Sequence, residues 1–167
     1  TIAELDETVR TIRLAGCQQF VLLKCTSSYP ASPENSNLVT IPHMRKLFDC
    51  EVGLSDHTMG IGAAVTAVAH GATVIEKHFT LRRADGGVDS AFSLEPEEMK
   101  SLVVETERAW QSLGRITYGP TDAEKQYVKH RRSIYIAKDM KAGDKFNRDN
   151  LRIIRPGLGL PPKYFDV

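Results

Sequence analysis

The fold is decided by residues 51–79, which read EVGLSDHTMGIGAAVTAVAHGATVIEKHF. Two segments rich in strand-forming residues, Glu51-Val-Gly-Leu-Ser and Ala72-Thr-Val-Ile-Glu-Lys-His-Phe, enclose a run that is small and apolar from Gly60 to His70. Such a run predicts a helix that packs closely on its neighbours and ends before Gly71. A strand, a helix and a second strand in this order predict two parallel strands joined by a crossover helix.

The same alternation continues on both sides of this unit. Further elements are predicted as a helix at 2–15, a strand at 20–26, a helix at 38–48 and a long helix at 95–113. Strands that recur about every 25–30 residues are typical of parallel β/α folds. The chain has 167 residues, fewer than the roughly 200–250 of an eight-stranded barrel. We therefore predict an α/β fold with about three parallel βα units, which are too few to close a barrel. The chain also lacks an initiating Met, which indicates that residue 1 is not a natural start.

The sequence pattern changes after residue 114. Residues 115–132, RITYGPTDAEKQYVKHRR, are polar and predict a linker. Beyond them, Ser133-Ile-Tyr-Ile-Ala-Lys predicts a short strand and Met140-Lys-Ala-Gly-Asp a tight turn, within a small and irregular β module. The predicted organisation is a parallel β/α part at 1–114, a linker at 115–132 and a small β module at 133–167 that stops abruptly.

The composition argues against several classes of partner. The chain has 22 Lys and Arg residues against 21 Asp and Glu residues, a formal net charge of +1, so neither nucleic acid nor an anionic membrane is expected as a partner. No apolar stretch reaches the roughly 18 residues of a membrane helix. The three cysteines contain no CxxC pair, which predicts free, buried thiols in a reducing compartment. We expect a cytoplasmic protein that acts on small molecules.

Polar side chains gather where the predicted strands end. Side chains alternate along a strand, so Ser55 and His57 share one face of the second strand, and Glu76 and His78 share one face of the third. In parallel β/α folds this edge of the sheet is where ligands bind. The two histidines are therefore candidates for binding one divalent ion, with open positions for substrate oxygens.

Each candidate also has an ordinary structural interpretation. A histidine at the end of a strand is often only a satisfied hydrogen-bonding residue. Asp89, in a loop that contains glycine, has the surroundings of a residue that caps a turn. Lys77 lies between two residues that face the site, so an outward charge is favoured over a phosphate ligand. Arg155 is by default a surface arginine.

Five motifs occur in order over nearly the whole chain: Leu22-Leu-Lys-Cys-Thr-Ser-Ser-Tyr-Pro-Ala, Gly53-Leu-Ser-Asp-His-Thr-Met-Gly, Val74-Ile-Glu-Lys-His-Phe-Thr-Leu, Asp89-Ser-Ala-Phe-Ser-Leu-Glu-Pro and Arg131-Arg-Ser-Ile. Together they resemble the sialic acid synthase family, which condenses phosphoenolpyruvate with an amino sugar to make nonulosonic acids. The resemblance implies a (β/α)8 TIM barrel, a linker and a small antifreeze-like (SAF) domain. The three strands predicted here would be the sixth to eighth of that barrel, so residues 1–114 would be its C-terminal part, with about three βα units. Residues 133–167 would be the start of the SAF domain.

Several site residues follow from this resemblance by position. His57 and His78 match the metal-binding histidines, which implies a divalent metal, Mn²⁺ or Mg²⁺, as cofactor. Ser55 matches a contact to phosphoenolpyruvate. Ser27 and Tyr29 match substrate-contacting positions after the sixth strand of the barrel.

The same comparison assigns the remaining candidates. Asp89 matches the acid that binds the sugar, and Glu76 is expected to support the site from the strand face it shares with His78. These two carboxylates are the catalytic candidates. Arg155 matches the arginine that the small domain of one subunit offers to the barrel of its partner, which implies a domain-swapped homodimer for the full-length protein.

Within the family, the chain is most similar to pseudaminic acid synthases. Lys-Cys-Thr-Ser stands before Tyr-Pro and Arg83-Ala-Asp-Gly-Gly before Asp89, whereas N-acetylneuraminate synthases more often have Asn at the position of Ser27. Neuraminate, legionaminate and spore-coat synthases of the family remain alternatives, as does a non-catalytic sugar-binding module. The implied activity is that of a phosphoenolpyruvate-dependent transferase that forms a carbon–carbon bond. Since the family places a carboxylate and lysines on earlier strands, the chain alone is expected to be inactive.

Overall fold

A computed structural model describes residues 1–165 of the protein. The chain divides into two compact units, Thr1–Arg115 and Ile116–Val167. The first unit holds a three-stranded sheet and the second a two-stranded sheet. Within residues 1–165, no helix is both long and apolar enough to cross a membrane.

Helices and strands alternate throughout the first unit. Its elements are α1 (Ile2–Leu14), β1 (Val21–Cys25), α2 (Thr40–Phe48), β2 (Glu51–Asp56), α3 (Gly62–Ala69), β3 (Ile75–Lys77) and α4 (Pro96–Leu113). The sheet order is β1-β2-β3, and both strand pairs are parallel. The predicted parallel α/β architecture is confirmed, because each strand returns to the sheet through a crossover that contains a helix.

The two faces of this sheet have different surroundings. One face packs on the helices through a core made of Val9, Leu22, Ile41, Met44, Phe48, Val52, Leu54, Ala67 and Ala72. On the other face, Cys25, Ser55 and Glu76 form one row across the three strands, because Cys25 is in register with Ser55 and Ser55 with Glu76. The polar row therefore lies opposite the helix layer.

Gly53 lies on β2, on the same face as Ser55. A Cβ atom at this position would lie 2.7 Å from Leu23 Cδ2 on β1 and closer still to the Val74 carbonyl oxygen. Only glycine lets the neighbouring chain segments approach β2 this closely.

The third strand is shorter than the sequence predicts. The prediction covered residues 72–79, whereas β3 is Ile75–Lys77. After Lys77 the chain leaves the sheet to pair with residue 94: Leu94 donates its N–H to the His78 carbonyl, and Thr80 donates its N–H to the Leu94 carbonyl. A loop that returns from the sheet thus takes over the hydrogen bonds of the predicted strand end.

The second unit is built on an antiparallel pair. Strand β4 (Ser133–Ile136) pairs with β5 (Leu151–Ile154), and a short helix, α5 (Asp122–Lys125), precedes them. The segment predicted as a linker contacts the β module, since Gly157 donates its N–H to the Lys129 carbonyl. The last two positions of the predicted second domain, residues 166–167, lie outside the described residues.

Candidate active site

The two histidines at the strand ends lie side by side. His57 directly follows β2 and is 6% exposed, and His78 directly follows β3 and is half-buried. Their ring centres are 5.2 Å apart, with an interplanar angle of 83°. The predicted convergence of these two side chains is therefore confirmed.

The orientation of the His57 ring is fixed from the neighbouring strand. Its Nδ1 atom lies 2.9 Å from the carbonyl oxygen of Thr26, just after β1. A carbonyl oxygen can only accept a hydrogen bond, so Nδ1 carries a proton, and in the neutral ring Nε2 carries the lone pair. The Nε2 atom faces the Ser55 hydroxyl at 3.5 Å. His57 thus presents a metal-competent nitrogen toward the polar row of the sheet.

Ser55 and Glu76 are joined across β2 and β3. The buried Ser55 hydroxyl donates a hydrogen bond to Glu76 Oε1 at 2.6 Å. Glu76 is exposed, so its second carboxylate oxygen can accept a hydrogen bond from water or from a ligand. Ser55 and Glu76 therefore lie on the same face of the sheet. The supporting role expected for Glu76 stays a prediction.

Asp89 lies next to His78 on the loop that follows β3. Its Oδ2 atom is 3.6 Å from His78 Nδ1. Although Asp89 precedes the short 3₁₀ turn Ser90–Phe92, its side chain makes no capping hydrogen bond there. The turn-capping interpretation is therefore wrong for the carboxylate, because the carboxylate turns toward His78 instead.

Two aromatic rings enclose the histidines. The Tyr29 ring lies over the His57 ring, with centres 4.2 Å apart and a 30° angle between the planes. Phe92, which is buried, packs against His78 at 5.0 Å between ring centres. Tyr29 is a residue that the sequence pointed to, whereas Phe92 was not singled out, although it follows Asp89 within the same motif.

Ser27 and Arg155 are the other two predicted site residues. Ser27 is exposed beyond β1, with its hydroxyl 3.8 Å from Cys25 Sγ. Arg155 is exposed directly after β5, in the second unit. The roles expected for these residues stay predictions.

The loop that carries Asp89 is tied to the start of α4 through Arg83. The Arg83 backbone N–H donates to Glu95 Oε1 at 2.8 Å, its Nε donates to the Ser93 carbonyl at 3.0 Å, and its guanidinium binds the Glu98 carboxylate. The Glu95 N–H also donates to Glu98, at 2.8 Å. This backbone hydrogen bond, with the Arg83 interactions, holds the pKa of Glu98 below its usual range, although burial opposes the shift.

Lys77 does not point into solvent. It faces away from the histidines, as alternation predicts, but its ammonium group is buried and lies 2.8 Å from Asp56 Oδ2. The expectation of an outward charge is therefore corrected: the helix layer covers this face, and a charge buried there needs a partner. Asp56 and Lys77 are in register on β2 and β3. The sequence does contain a signal for this ion pair, because each of the two opposite charges directly precedes a histidine and so faces the other side of its strand.

The cysteines are free, as predicted, but they are not buried. Cys17 and Cys25 are exposed, and Cys50 is half-buried. Cys25 belongs to the polar row that faces away from the helices, which explains its exposure. Burial raises the pKa of the Cys50 thiol.

The histidines fit a divalent ion that takes two imidazole ligands. With Nδ1 of His57 bonded to the Thr26 carbonyl, Nε2 faces the site, and the His78 ring lies close enough for both rings to reach one ion. In the part of the chain that the structure describes, no group of three or more His, Cys, Asp or Glu side chains is arranged to hold a metal. These residues would thus supply two ligands and leave other positions for oxygen donors.

Two family models match the chain, one after the other along the sequence. The NeuB family model matches residues 1–118, and the SAF domain model matches residues 131–167. Because the first match covers more than half of the chain, the protein belongs to the NeuB family. The resemblance to sialic acid synthases and the predicted fold class are thereby confirmed.

Individual relatives agree with this assignment. The chain is 44% identical over 148 residues to a pseudaminic acid synthase of Campylobacter jejuni, covering 87% of this chain and 42% of that protein. It is 42% identical over 143 residues to an N,N'-diacetyllegionaminic acid synthase of Legionella pneumophila, covering 85% and 40%. The chain thus spans about half the length of the curated relatives it matches.

A solved structure shows the same architecture. The N-acetylneuraminic acid synthetase from Leptospira borgpetersenii, determined in complex with citrate, superposes with a TM-score of 0.69 at 36% identity. The match covers 77% of this chain and 45% of that one. The fold of the first unit therefore recurs within a larger synthase.

Proposed function

We propose that this chain forms part of a nonulosonic acid synthase, which condenses phosphoenolpyruvate with an N-acetylated amino sugar and releases phosphate, with pseudaminic acid as the product. The observation that carries the proposal is the meeting of His57 and His78 beside the Ser55–Glu76 hydrogen bond, at the carboxyl edge of a parallel sheet in a NeuB-family chain. This edge is where β/α barrels bind substrates.

The proposed reaction balances with water as the third reactant. Carbon C3 of phosphoenolpyruvate forms a bond to the aldehyde carbon of the open-chain sugar, whose oxygen takes up a proton. Water adds at C2, and the C–O bond to the phosphate breaks, so that phosphate leaves with its bridging oxygen. The chain's own residues hold the two substrates in reach of each other, which lowers the entropic part of the barrier.

A role for each residue follows from the chemistry of its side chain. Ser55 binds phosphoenolpyruvate, and its hydrogen bond to Glu76 fixes the hydroxyl. Asp89 binds the hydroxyl groups of the sugar next to His78. Tyr29 covers the His57 ring and forms one wall of the substrate site, with Ser27 on the same loop.

His57 and His78 would hold the divalent ion, Mn²⁺ or Mg²⁺. When bound, the ion polarises the sugar aldehyde and favours attack by phosphoenolpyruvate. The Thr26 carbonyl keeps the proton of His57 on Nδ1, so that Nε2 stays available.

The amino sugar that the enzyme accepts determines which of two candidate products, pseudaminate or legionaminate, it makes. Identity to a pseudaminic acid synthase is 44%, and identity to a legionaminic acid synthase is 42%, so a legionaminate product is the second candidate. The motif residues around Ser27 and Asp89 favour pseudaminate.

The test is an assay of the full-length protein that carries this sequence. It is incubated with phosphoenolpyruvate, Mn²⁺ and a panel of N-acetylated amino sugars that differ in their substituents, and released phosphate and product mass are measured. Phosphate release with the pseudaminate precursor alone supports the proposal. Release with another sugar assigns a different product, and no release with any sugar overturns the synthase assignment. The 167-residue chain alone is expected to release no phosphate.

A further inference from the structure

A buried ion pair lies directly behind the two histidines. Lys77 Nζ is 2.8 Å from Asp56 Oδ2, and both side chains are only 2% exposed. Asp56 directly precedes His57, and Lys77 directly precedes His78. The pair is therefore one residue away from each candidate metal ligand, on the opposite face of the sheet.

Both members of the pair also bind the backbone of Thr58. Asp56 Oδ1 accepts a hydrogen bond from the Thr58 N–H at 2.9 Å, and Lys77 Nζ donates a hydrogen bond to the Thr58 carbonyl. The backbone of the residue directly after His57 is thus held by the ion pair. The His57 carbonyl itself accepts a hydrogen bond from Ala31 N–H at 2.9 Å.

Stability alone is a weak reason for such a pair. Removing two charges from water is costly, and apolar replacements of a buried ion pair are often neutral or stabilising. An apolar pair at positions 56 and 77 would fill the same space on the helix side. It would not bind the N–H and carbonyl of Thr58, which are the two contacts that fix the chain around His57.

We propose that Asp56 and Lys77 are positioning residues, which hold the His57 ring in the orientation in which it binds a divalent ion together with His78. The proposal rests on the proposed function, since it concerns the same site. In addition, it assigns a role to two charges on the helix side of the sheet, which act on His57 through the backbone of Thr58.

Two charge-free variants of the full-length protein separate positioning from packing. The variant Asp56→Leu/Lys77→Met removes the ion pair and both contacts to Thr58. The variant Asp56→Asn/Lys77→Met also removes the charges, but it keeps a carbonyl oxygen for the Thr58 N–H. The matched control is Arg45→Met/Glu51→Gln, which removes a half-exposed ion pair of 2.6 Å at the other end of β2.

Three quantities are measured for each variant. Thermal unfolding reports whether the variant is folded, Mn²⁺ binding is followed by the electron paramagnetic resonance signal of the free ion, and a ¹H–¹⁵N spectrum of the metal-free protein reports the imidazole tautomers. We expect Mn²⁺ affinity to fall about 10-fold to 100-fold in the Leu/Met variant and less in the Asn/Met variant. The His57 resonances should move in the same order, and the control should match the native protein.

Native Mn²⁺ affinity and native imidazole spectra in both charge-free variants would overturn the proposal. If the Leu/Met variant does not fold, the Asn/Met variant decides by the same criterion. A native protein that binds no Mn²⁺ contradicts the metal in the proposed function, and the imidazole spectra then still show whether the pair orients the rings.

Discussion

The Nδ1 atom of His57 donates a hydrogen bond to the carbonyl oxygen of Thr26, 2.9 Å away. This bond joins the end of β2 to the end of β1. It leaves Nε2 as the ring nitrogen that can bind a metal ion. The structural and the chemical roles of His57 therefore belong to different ring atoms, and suitable substitutions can separate them.

His57→Asn should retain the fold and lose the activity. The asparagine amide can donate to Thr26 as Nδ1 does, but it has no atom at the position of Nε2. We expect a melting temperature close to that of the native protein and at least about 100-fold less phosphate release from phosphoenolpyruvate. His57→Gln is the matched comparison, because its amide reaches toward Nε2 instead. Native turnover of the asparagine variant would exclude His57 as a ligand.

Ser55→Ala should weaken the binding of phosphoenolpyruvate more than it weakens the fold. The substitution removes one hydrogen bond to Glu76, whose carboxylate is exposed and can bind water instead, so the loss of stability should stay near 1 kcal/mol. We expect KM for phosphoenolpyruvate to rise about tenfold, as for loss of a hydrogen bond to a charged ligand. Steady-state kinetics and urea unfolding measure the two effects. An unchanged KM would contradict the assigned contact.

Lys77→Met alone should destabilise the protein strongly. It leaves the Asp56 carboxylate buried without its ion-pair partner, which typically costs about 3–5 kcal/mol. Arg45→Met, which breaks the half-exposed pair with Glu51, should cost about 1 kcal/mol or less. Urea unfolding of the two variants gives both values. Equal costs would mean that Asp56 finds another partner.

Stability at acid pH should depend on Glu98. Its pKa is lowered in the folded protein, first by the hydrogen bond from the Glu95 N–H. Its contribution is therefore complete above the pKa of a glutamate in the unfolded chain, and it is lost as the pH falls through the lower folded pKa. Glu98→Gln should remove this part of the acid-induced loss.

The neighbouring Glu97 provides the control for that experiment. Glu97 is highly exposed, and its nearest cation, Lys100, lies 3.8 Å away. Thermal unfolding across the acid range should therefore show the native pH dependence for Glu97→Gln. If Glu98→Gln and the native protein showed the same pH dependence, Glu98 would contribute nothing to the acid response.

Arg155 is expected to act on the site of a partner subunit. If so, Arg155→Ala and His57→Ala are each inactive, but co-expression of the two should restore activity. Random pairing makes half of the dimers mixed, with one intact site each, so about a quarter of the native activity should return. The restored activity is measured as phosphate release by the co-purified mixture. No recovery would assign Arg155 to its own subunit or to no site.

Much of the site was predictable because strand alternation is a local property. The order of elements gave parallel strands, and alternation placed Ser55 with His57 and Glu76 with His78 on one face. The exact partners were not predictable in the same way. The hydrogen bond from His57 to Thr26 depends on how β1 and β2 are paired, which a single strand does not encode.

The errors have physical causes of the same kind. Alternation correctly turned Lys77 away from the histidines, but whether that direction meets solvent or a helix depends on tertiary packing. The end of the predicted third strand was lost because residue 94 of a later loop competes for its hydrogen bonds. The prediction of a buried thiol was wrong at Cys25, because apolar neighbours in sequence do not show which face of a sheet is covered.

The ion pair of Asp56 and Lys77 also bears on how the chain avoids folding errors. If β3 slid by one residue against β2, Glu76 would turn into the apolar helix layer and Lys77 would turn out beside Ser55. Asp56 would then be buried without a cation, and Ile75 would leave the core. Because the two charges can pair in only one strand register, every shifted register leaves a charge buried without its partner and is less stable. The two residues therefore favour the register that brings His57 and His78 together, with or without a bound ligand.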